Sequence, residues 1–389
     1  MKHLDSLCHA SSAILRRLSL ILWMALTLSY TSCLDDDTLE YDDTLTGTFD
    51  ACWRTLDEHY CFFDEKGVDW EGVYRQYRPL LRDSIKTQVQ LFNLLDHMMD
   101  TLRDGHVNLY TPFNIGRYWS WHEDYLPNYD ANLVNRYYLG TQYWIASGMQ
   151  YGMLGRDSVA YVRYSSFDNA IGATNLDYVL ALLRNANGLI IDLRNNGGGA
   201  LDNAVTIAQR FATERTLYGY IRHKTGPGHH DFSQPEPLYV DPPSDGRVVW
   251  DASVRPVVLL TNRHCYSATN IFVQLMRSLD GTLTPDSLGQ LHPKMIRQCG
   301  DRTGGGSGLP FESVLPNGWA IRFSACPMTD ASGHSTESGI DPSEGLRVDM
   351  DSLSATEHHR DDIIETARAY ILKNTRAPRK TAEKDEKTE

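Results

Sequence analysis

Apolar runs and stretches of helical periodicity alternate through the middle of the chain. Strands are expected at 158–164, 188–193 and 257–261, and helices at 174–185, 199–213 and 267–279. In the last of these, Ile271, Phe272, Leu275, Met276 and Leu279 recur at the spacing that stacks side chains on one helix face. Ala204, Ile207, Ala208 and Phe211 do the same in the helix before it. Strands and helices in alternation predict an α/β core. Upstream, residues 46–103 read as about three helices. Phe49, Trp53, Leu56 and Tyr60 share one face, and Leu91, Leu94, Leu95 and Met98 another. The helical run 91–102 stops at Asp104-Gly105, and a short alternating strand follows. Residues 110–155 are aromatic and rich in Asn and Gly. Residues 214–252 carry Gly226-Pro227-Gly228, Pro235, Pro237, Pro242 and Pro243, which predicts a long irregular excursion over a site. A closing helix is expected over 361–372, and a charged, disordered tail over 375–389.

Three junctions between these elements carry candidate chemistry. The run Val257 to Leu260 leads into Thr261-Asn262-Arg263-His264-Cys265-Tyr266-Ser267-Ala268-Thr269, so Ser267 stands at the head of a helix. Unpaired N–H groups and the positive dipole end favour developing negative charge there. Ser is also a preferred N-cap, and that is the plainer role for one such residue. The strand Gly188 to Asp192 ends in Leu193-Arg194-Asn195-Asn196 and the glycines 197, 198 and 199. A simple strand-to-helix turn explains one glycine, whereas three allow close backbone approach and an anion-binding concavity. The pattern is neither a phosphate-binding P-loop nor a dinucleotide fingerprint. In Asp104-Gly105-His106 the histidine sits just past a tight turn, where its ring can reach a cleft and act as a base near neutral pH.

In order, these segments resemble the tail-specific, or C-terminal-processing, serine protease family, which includes the tricorn core and retinoid-binding repeat proteins. The matching pieces are Asp104-Gly105-His106, 161–167, Asp192 to Gly199, Asn262 to Thr269, 300–308 and Glu337-Ser338-Gly339-Ile340-Asp341-Pro342. The N-terminal stretch with Phe49-Asp50, Trp53, 60–63 and 68–70 agrees, so the resemblance covers about residues 45 to 372. It implies a crotonase/Clp-protease-like α/β spiral core with an N-terminal helical subdomain. One branch of the family uses a Ser–Lys dyad, but glycines 304–306 stand where that lysine would be, and Lys294 falls in a polar stretch that reads as a solvated loop. The tricorn-like branch uses His and Glu, and here His106 and Glu337 fill those places. That branch also has a Ser before its His, where this chain has Gly105. The resemblance therefore implies a serine endopeptidase: Ser267 as nucleophile, His106 as base, Glu337 orienting the imidazole, and backbone N–H groups of Gly198 and Ala268 as the oxyanion hole. Asp104 and Glu344 are the alternative acids. Asp104 is disfavoured because an Asp two residues before the His more often bonds its own backbone. A PDZ module, frequent in the family, is not expected because too few residues separate His106 from the strand at 158–164. The same fold can also serve a non-catalytic binding protein, with Trp119, Trp121, Tyr137, Tyr138, Tyr143 and Trp144 lining a pocket, or an ester hydrolase.

Composition adds boundaries to this picture. The chain has 389 residues and a formal net charge of −13, which argues against nucleic acid as a partner. Lys2, Arg16 and Arg17 precede the apolar stretch 18–28, which is too short to span a membrane and suits a signal peptide. Tyr30-Thr31-Ser32-Cys33 resembles a bacterial lipoprotein cleavage box, and an acidic run follows. The expected organisation is a signal peptide over 1–32, lipidation at Cys33, an acidic tether over 33–45, a helical subdomain over 46–103 and a catalytic domain over 104–374. The expected localisation is lipid-anchored at the outer membrane of a Gram-negative bacterium, with a peptide or protein as substrate. Of the 7 cysteines, the five beyond Cys33 are an odd set, so at least one thiol stays free. Cys265 reads as a buried thiol. The paired His229-His230 reads as solvated. No spacing suggests zinc, and no cofactor is implied.

Overall fold

The computed structural model describes residues 41–155, 158–244, 250–286 and 288–376. The signal peptide, Cys33, most of the tether and most of the tail lie outside the described residues. The N-terminal part holds α1 (Leu45–His59), α2 (Phe63–Lys66), α3 (Trp70–Tyr77), α4 (Leu80–Asp83) and α5 (Gln88–Asp100). Thr44, Asp69 and Thr87 cap α1, α3 and α5 by accepting a backbone N–H, and Thr87 with Gln90 completes a capping box. Then come β1 (Asn108–Tyr110), β2 (Ile115–Arg117), α6 (Ser120–Glu123), α7 (Ala131–Val134), β3 (Trp144–Ala146), β4 (Met149–Leu154) and β5 (Val159–Tyr164). The core follows as α8 (Ala173–Leu183), β6 (Gly188–Asp192), α9 (Leu201–Ala208), β7 (Thr216–Ile221), β8 (Glu236–Val240), β9 (Val257–Thr261) and α10 (Ala268–Leu279). The chain closes with β10 (Leu283–Pro285), β11 (Leu291–Pro293), β12 (Ile296–Gly300), β13 (Gly308–Val314), β14 (Ala320–Asp330), α11 (Ser352–His358) and α12 (Asp362–Asn374).

One sheet has the order β12-β9-β6-β5-β4-β3, parallel from β12 to β5 and antiparallel beyond. Its central strands are buried on both faces, as parallel strands must be. Leu189, Ile191, Val257 and Leu259 pack with α8, α9 and α10, while Ile190, Val258 and Leu260 pack with Ile363, Ile364, Ala367 and Ile371 of α12. A second six-stranded sheet runs β2-β1-β14-β7-β8, with β13 also on β14, and β10 pairs with β11 apart from both. It forms a second core with the N-terminal helices, where Phe49, Leu56, Leu91, Leu95 and Met98 meet Ile321 and Phe323. β14 thus ties the helical subdomain to β1, the strand that follows His106.

The expected excursion over 214–252 is in part a hairpin. β7 and β8 pair with each other, and β7 joins β14. Alternating Tyr218, Tyr220, Leu238 and Val240 supply the pattern, and Pro237 is tolerated because β8 is an edge strand. Residues 111–155 hold short strands, short helices and the β3–β4 hairpin, and no PDZ domain is identified there.

Candidate active site

Ser267 is lifted out of the sheet by the turn between β9 and α10. Its backbone has φ +57 and ψ −124, a conformation that costs a non-glycine residue energy. The turn is stitched from both sides. Tyr266 N–H donates to Asn196 O (3.2 Å), Ser267 N–H to Gly305 O (2.9 Å), and Gly304 N–H to Cys265 O (2.8 Å). Cys265 is buried, its thiol donating to Leu193 O at 3.1 Å. Although Ser267 occupies the N-cap position of α10, its side chain makes no capping hydrogen bond. Its Oγ instead lies 2.9 Å from His106 Nε2.

His106 is 4% exposed, its ring tilted against that of Tyr266. Burial, with Arg322 and Lys66 adding to it and Asp104 opposing, pushes the imidazole down to about 4. The ring is therefore neutral at pH 7, as a proton acceptor must be. Asp104 accepts the backbone N–H of His106 (2.8 Å), the Tyr266 hydroxyl (3.1 Å) and the Ser324 hydroxyl (2.9 Å). Burial would raise its carboxyl, but Lys66, His106 and these donors outweigh it and hold the group low. It fixes the histidine's backbone, as expected for an Asp in such a turn.

Glu337 departs from its expected place. Its carboxylate does not meet the imidazole: Oε1 accepts from Lys66 Nζ at 2.9 Å and Oε2 from Ser307 N–H at 2.8 Å. His106 Nδ1 has no hydrogen-bond partner among the described residues. The reason is electrostatic. A cation from α2 and a backbone donor both point at a carboxylate that is 3% exposed, and they satisfy it there. Burial and the charge of Asp104 raise the Glu337 carboxyl, with Lys66 opposing. Glu344, the other alternative acid, is exposed.

Gly105 has no room for the absent hydroxyl, because a Cβ there would meet Trp121 Nε1 at 2.7 Å and the Tyr266 ring at 3.0 Å. Trp121 stacks on Tyr266, and His122 packs on His264. Of the two expected oxyanion donors, Ala268 N–H, at the start of α10, has no acceptor among the described residues. Gly198 N–H is engaged by Asn196 Oδ1 at 3.0 Å. The glycine nonetheless abuts Ser267: with φ +107, its Cβ would meet Ser267 Cβ and Tyr266 O, both at 2.8 Å.

Lys294 is not solvated. It is 1% exposed and donates to the hydroxyls of Thr213 (2.7 Å) and Thr282 (2.9 Å). His229 is also engaged, with Asp57 at 2.8 Å and against the Phe63 ring, while His230 is exposed. The aromatic residues considered for a ligand pocket are dispersed. Tyr137 stacks on His359, Tyr138 accepts Asp361 N–H, and Trp144 is exposed beside Tyr151. Among the described residues there is no cluster of three or more His, Cys, Asp or Glu able to hold a metal. Sequence reasoning missed Lys66, and it named Trp121 only as a candidate pocket-lining aromatic, not as a neighbour of Gly105 and Tyr266. Neither stands in a chemistry-bearing motif, and Lys66 is 271 positions from the acid it meets.

Comparison with known proteins identifies the family. Residues 158–284 match the model of peptidase family S41, and residues 41–100 that of the tricorn protease C1 domain. A candidate peptidase from Parabacteroides merdae ATCC 43184 is 45% identical, with a TM-score of 0.75 over 85% of this chain and 98% of that one. Mature CPAF shares the fold, with a TM-score of 0.62 at 12% identity over 85% of this chain and 98% of that one. Tricorn protease homolog 1 of Streptomyces coelicolor is 36% identical over 85 residues, which is 20% of this chain and only 8% of the Streptomyces protein's length. With the family model on its catalytic core and a 45% identical relative along nearly its whole described length, the chain belongs to peptidase family S41, a family of serine-type peptidases.

Proposed function

We propose that the chain is a serine endopeptidase in which Ser267 attacks the scissile carbonyl and His106 takes its proton. The observation that carries this reading is the 2.9 Å approach of His106 Nε2 to the Oγ of a serine that sits at a helix start without capping it. The Ser267 oxygen bonds to the carbonyl carbon as its proton passes to Nε2. The oxyanion that forms faces Ala268 N–H and the start of α10. His106 then gives the proton to the leaving amine. Water, deprotonated by the same ring, releases the acyl group. Glu337 supports the site from behind, through Lys66 and Ser307, rather than through the imidazole. Removing one oxyanion donor from such a site typically costs about 100- to 1000-fold in rate.

The test is fluorophosphonate labelling and peptide hydrolysis by the wild type and Ser267→Ala. Both should vanish in the variant with the fold intact, since no capping bond is lost. Labelling or hydrolysis that survives Ser267→Ala overturns the reading. We further propose export and lipid anchoring at Cys33 in the outer membrane, supported by the residues around 16–33. Metabolic labelling with a fatty acid should be lost in Cys33→Ala.

A further inference from the structure

The Ser267–His106 pair is held by two segments far apart along the chain. One arm is the segment Arg103 to His106, where α5 gives way to β1. The other is the turn at 305–307, which holds the nucleophile: Gly305 O accepts the N–H of Ser267 at 2.9 Å. That turn is in turn held by Glu337, whose carbonyl accepts Gly306 N–H (3.1 Å) and whose Oε2 accepts Ser307 N–H (2.8 Å). Lys66, at the C-terminal end of α2, touches the first arm directly and reaches the second through Glu337. Its Nζ donates to Glu337 Oε1 at 2.9 Å and to Arg103 O at 3.1 Å, and the Arg103 guanidinium donates back to Lys66 O.

We propose that Lys66 is a positioning residue of the active site, an electrostatic clamp from the N-terminal helices that fixes the Ser267 turn and the His106 segment relative to each other. The inference rests on the proposed peptidase reading for its consequence in catalysis, but its geometry does not. An ammonium suits this place. It offers three donors to a carboxylate and a carbonyl at once, and a carboxylate pair, Asp104 and Glu337, needs a cation when both are buried. Burial alone would lower the Lys66 ammonium, yet Glu337 and Asp104 raise it, so it stays charged. The Lys66 charge also disfavours the imidazolium of His106. The clamp therefore gives the N-terminal helical unit a role in the reaction rather than in folding alone.

The experiment compares wild type, Lys66→Met, Lys66→Arg, Glu337→Gln and the double variant Lys66→Met/Glu337→Gln. Each is read by kcat and KM for peptide hydrolysis and by the NMR titration of the His106 ring. In Lys66→Met, kcat should fall about tenfold or more while KM changes little, because alignment rather than substrate contact is lost. The His106 titration should move to higher pH, since a neighbouring positive charge is gone. Lys66→Arg should restore most of both, a recovery that a purely packing role would not give. The double variant should fall no further than Lys66→Met alone, because both changes break one path. If Lys66→Met does not fold, the doubly neutral variant carries the same readouts. An unchanged kcat and an unchanged His106 titration in Lys66→Met overturn the proposal, as does a folded Lys66→Arg that restores neither. If the wild type hydrolyses nothing, the peptidase reading fails by itself, and the His106 titration still decides whether Lys66 is coupled to the site.

Discussion

Acid should disarm this site at a pH well below that at which an exposed histidine titrates. His106 is buried, and its imidazole is pushed down to about 4 by burial first and then by Arg322 and Lys66. Only the neutral ring accepts the Ser267 proton, so kcat/KM should hold through neutral pH and fall with a limb near 4, not at the 6 to 7 that an unperturbed histidine would give. The same displacement has a stability consequence of defined sign. The unfolded chain takes up this proton near 6.5, the folded one only near 4. Between those values the unfolded state binds more protons, so acidification lowers stability through that window. The gap between 6.5 and about 4, at about 1.36 kcal/mol for each pH unit, amounts to roughly 3 kcal/mol. His106→Asn removes the group, so its urea midpoint should drop by correspondingly less than that of wild type between about pH 7 and pH 4. Asp104 keeps the backbone N–H of position 106 as a donor in both proteins, so the difference between them reads the imidazole together with its coupling to Asp104. A rate limb at 6 to 7, or equal acid losses in the two proteins, would refute the reasoning.

Gly105→Ser would supply the hydroxyl that the tricorn-like branch carries, but its Cβ would press on Trp121 Nε1 and the Tyr266 ring. It should lower stability by about 1–3 kcal/mol and raise no rate, as thermal unfolding and hydrolysis assays would read. Gly198→Ala should leave the protein folded but reduce hydrolysis by more than tenfold, because its methyl group would displace the Ser267 turn at a φ of +107. Wild-type kcat/KM in a folded Gly198→Ala would show that the turn has slack.

The parts of the site legible in the sequence are those fixed by local pattern. Buried runs ending in turns gave β6 and β9, and helical spacing gave α10, so Ser267 and the glycine turn could each be placed at the end of a strand; that the two strands are neighbours is seen only in the fold. Asp104-Gly105-His106 was readable because a helix stop and a strand start flank it. What was not legible depends on contacts between distant segments. Lys66 lies in a four-residue helix with no periodicity of its own, and its partner is chosen only by the packing of the N-terminal helices on β14. Glu337 was expected on the imidazole because its local motif sits in the right order, but order along a chain does not say which of two nearby donors a carboxylate will face. Lys294 looked solvated because its neighbours are polar, yet two threonine hydroxyls from separate segments make burial of its ammonium tolerable. The β7–β8 hairpin was hidden by prolines that would exclude a central strand and do not exclude an edge.

The backbone at Ser267 bears on whether this serine is there to start a helix or to do chemistry. A serine that only caps takes extended dihedrals and lends its oxygen to an N–H of the first turn, which is worth about 1 kcal/mol. Thr44 and Thr87 do that, with φ of −124 and −133 and side chains that accept from the third residue on. Ser267 does neither. It takes a positive φ that costs about 1–3 kcal/mol and leaves the helix N–H groups without its oxygen. Folding alone would favour glycine at such a φ, or a capping threonine at a relaxed one. The arrangement makes sense only if what matters is where Oγ points, and it points at a buried, neutral imidazole 2.9 Å away. Thr269 N–H is taken up by Tyr266 O at 3.1 Å, whereas Ala268 N–H, next to Ser267, has no acceptor among the described residues, so the freed hydroxyl and the proposed oxyanion donor are two consequences of one turn.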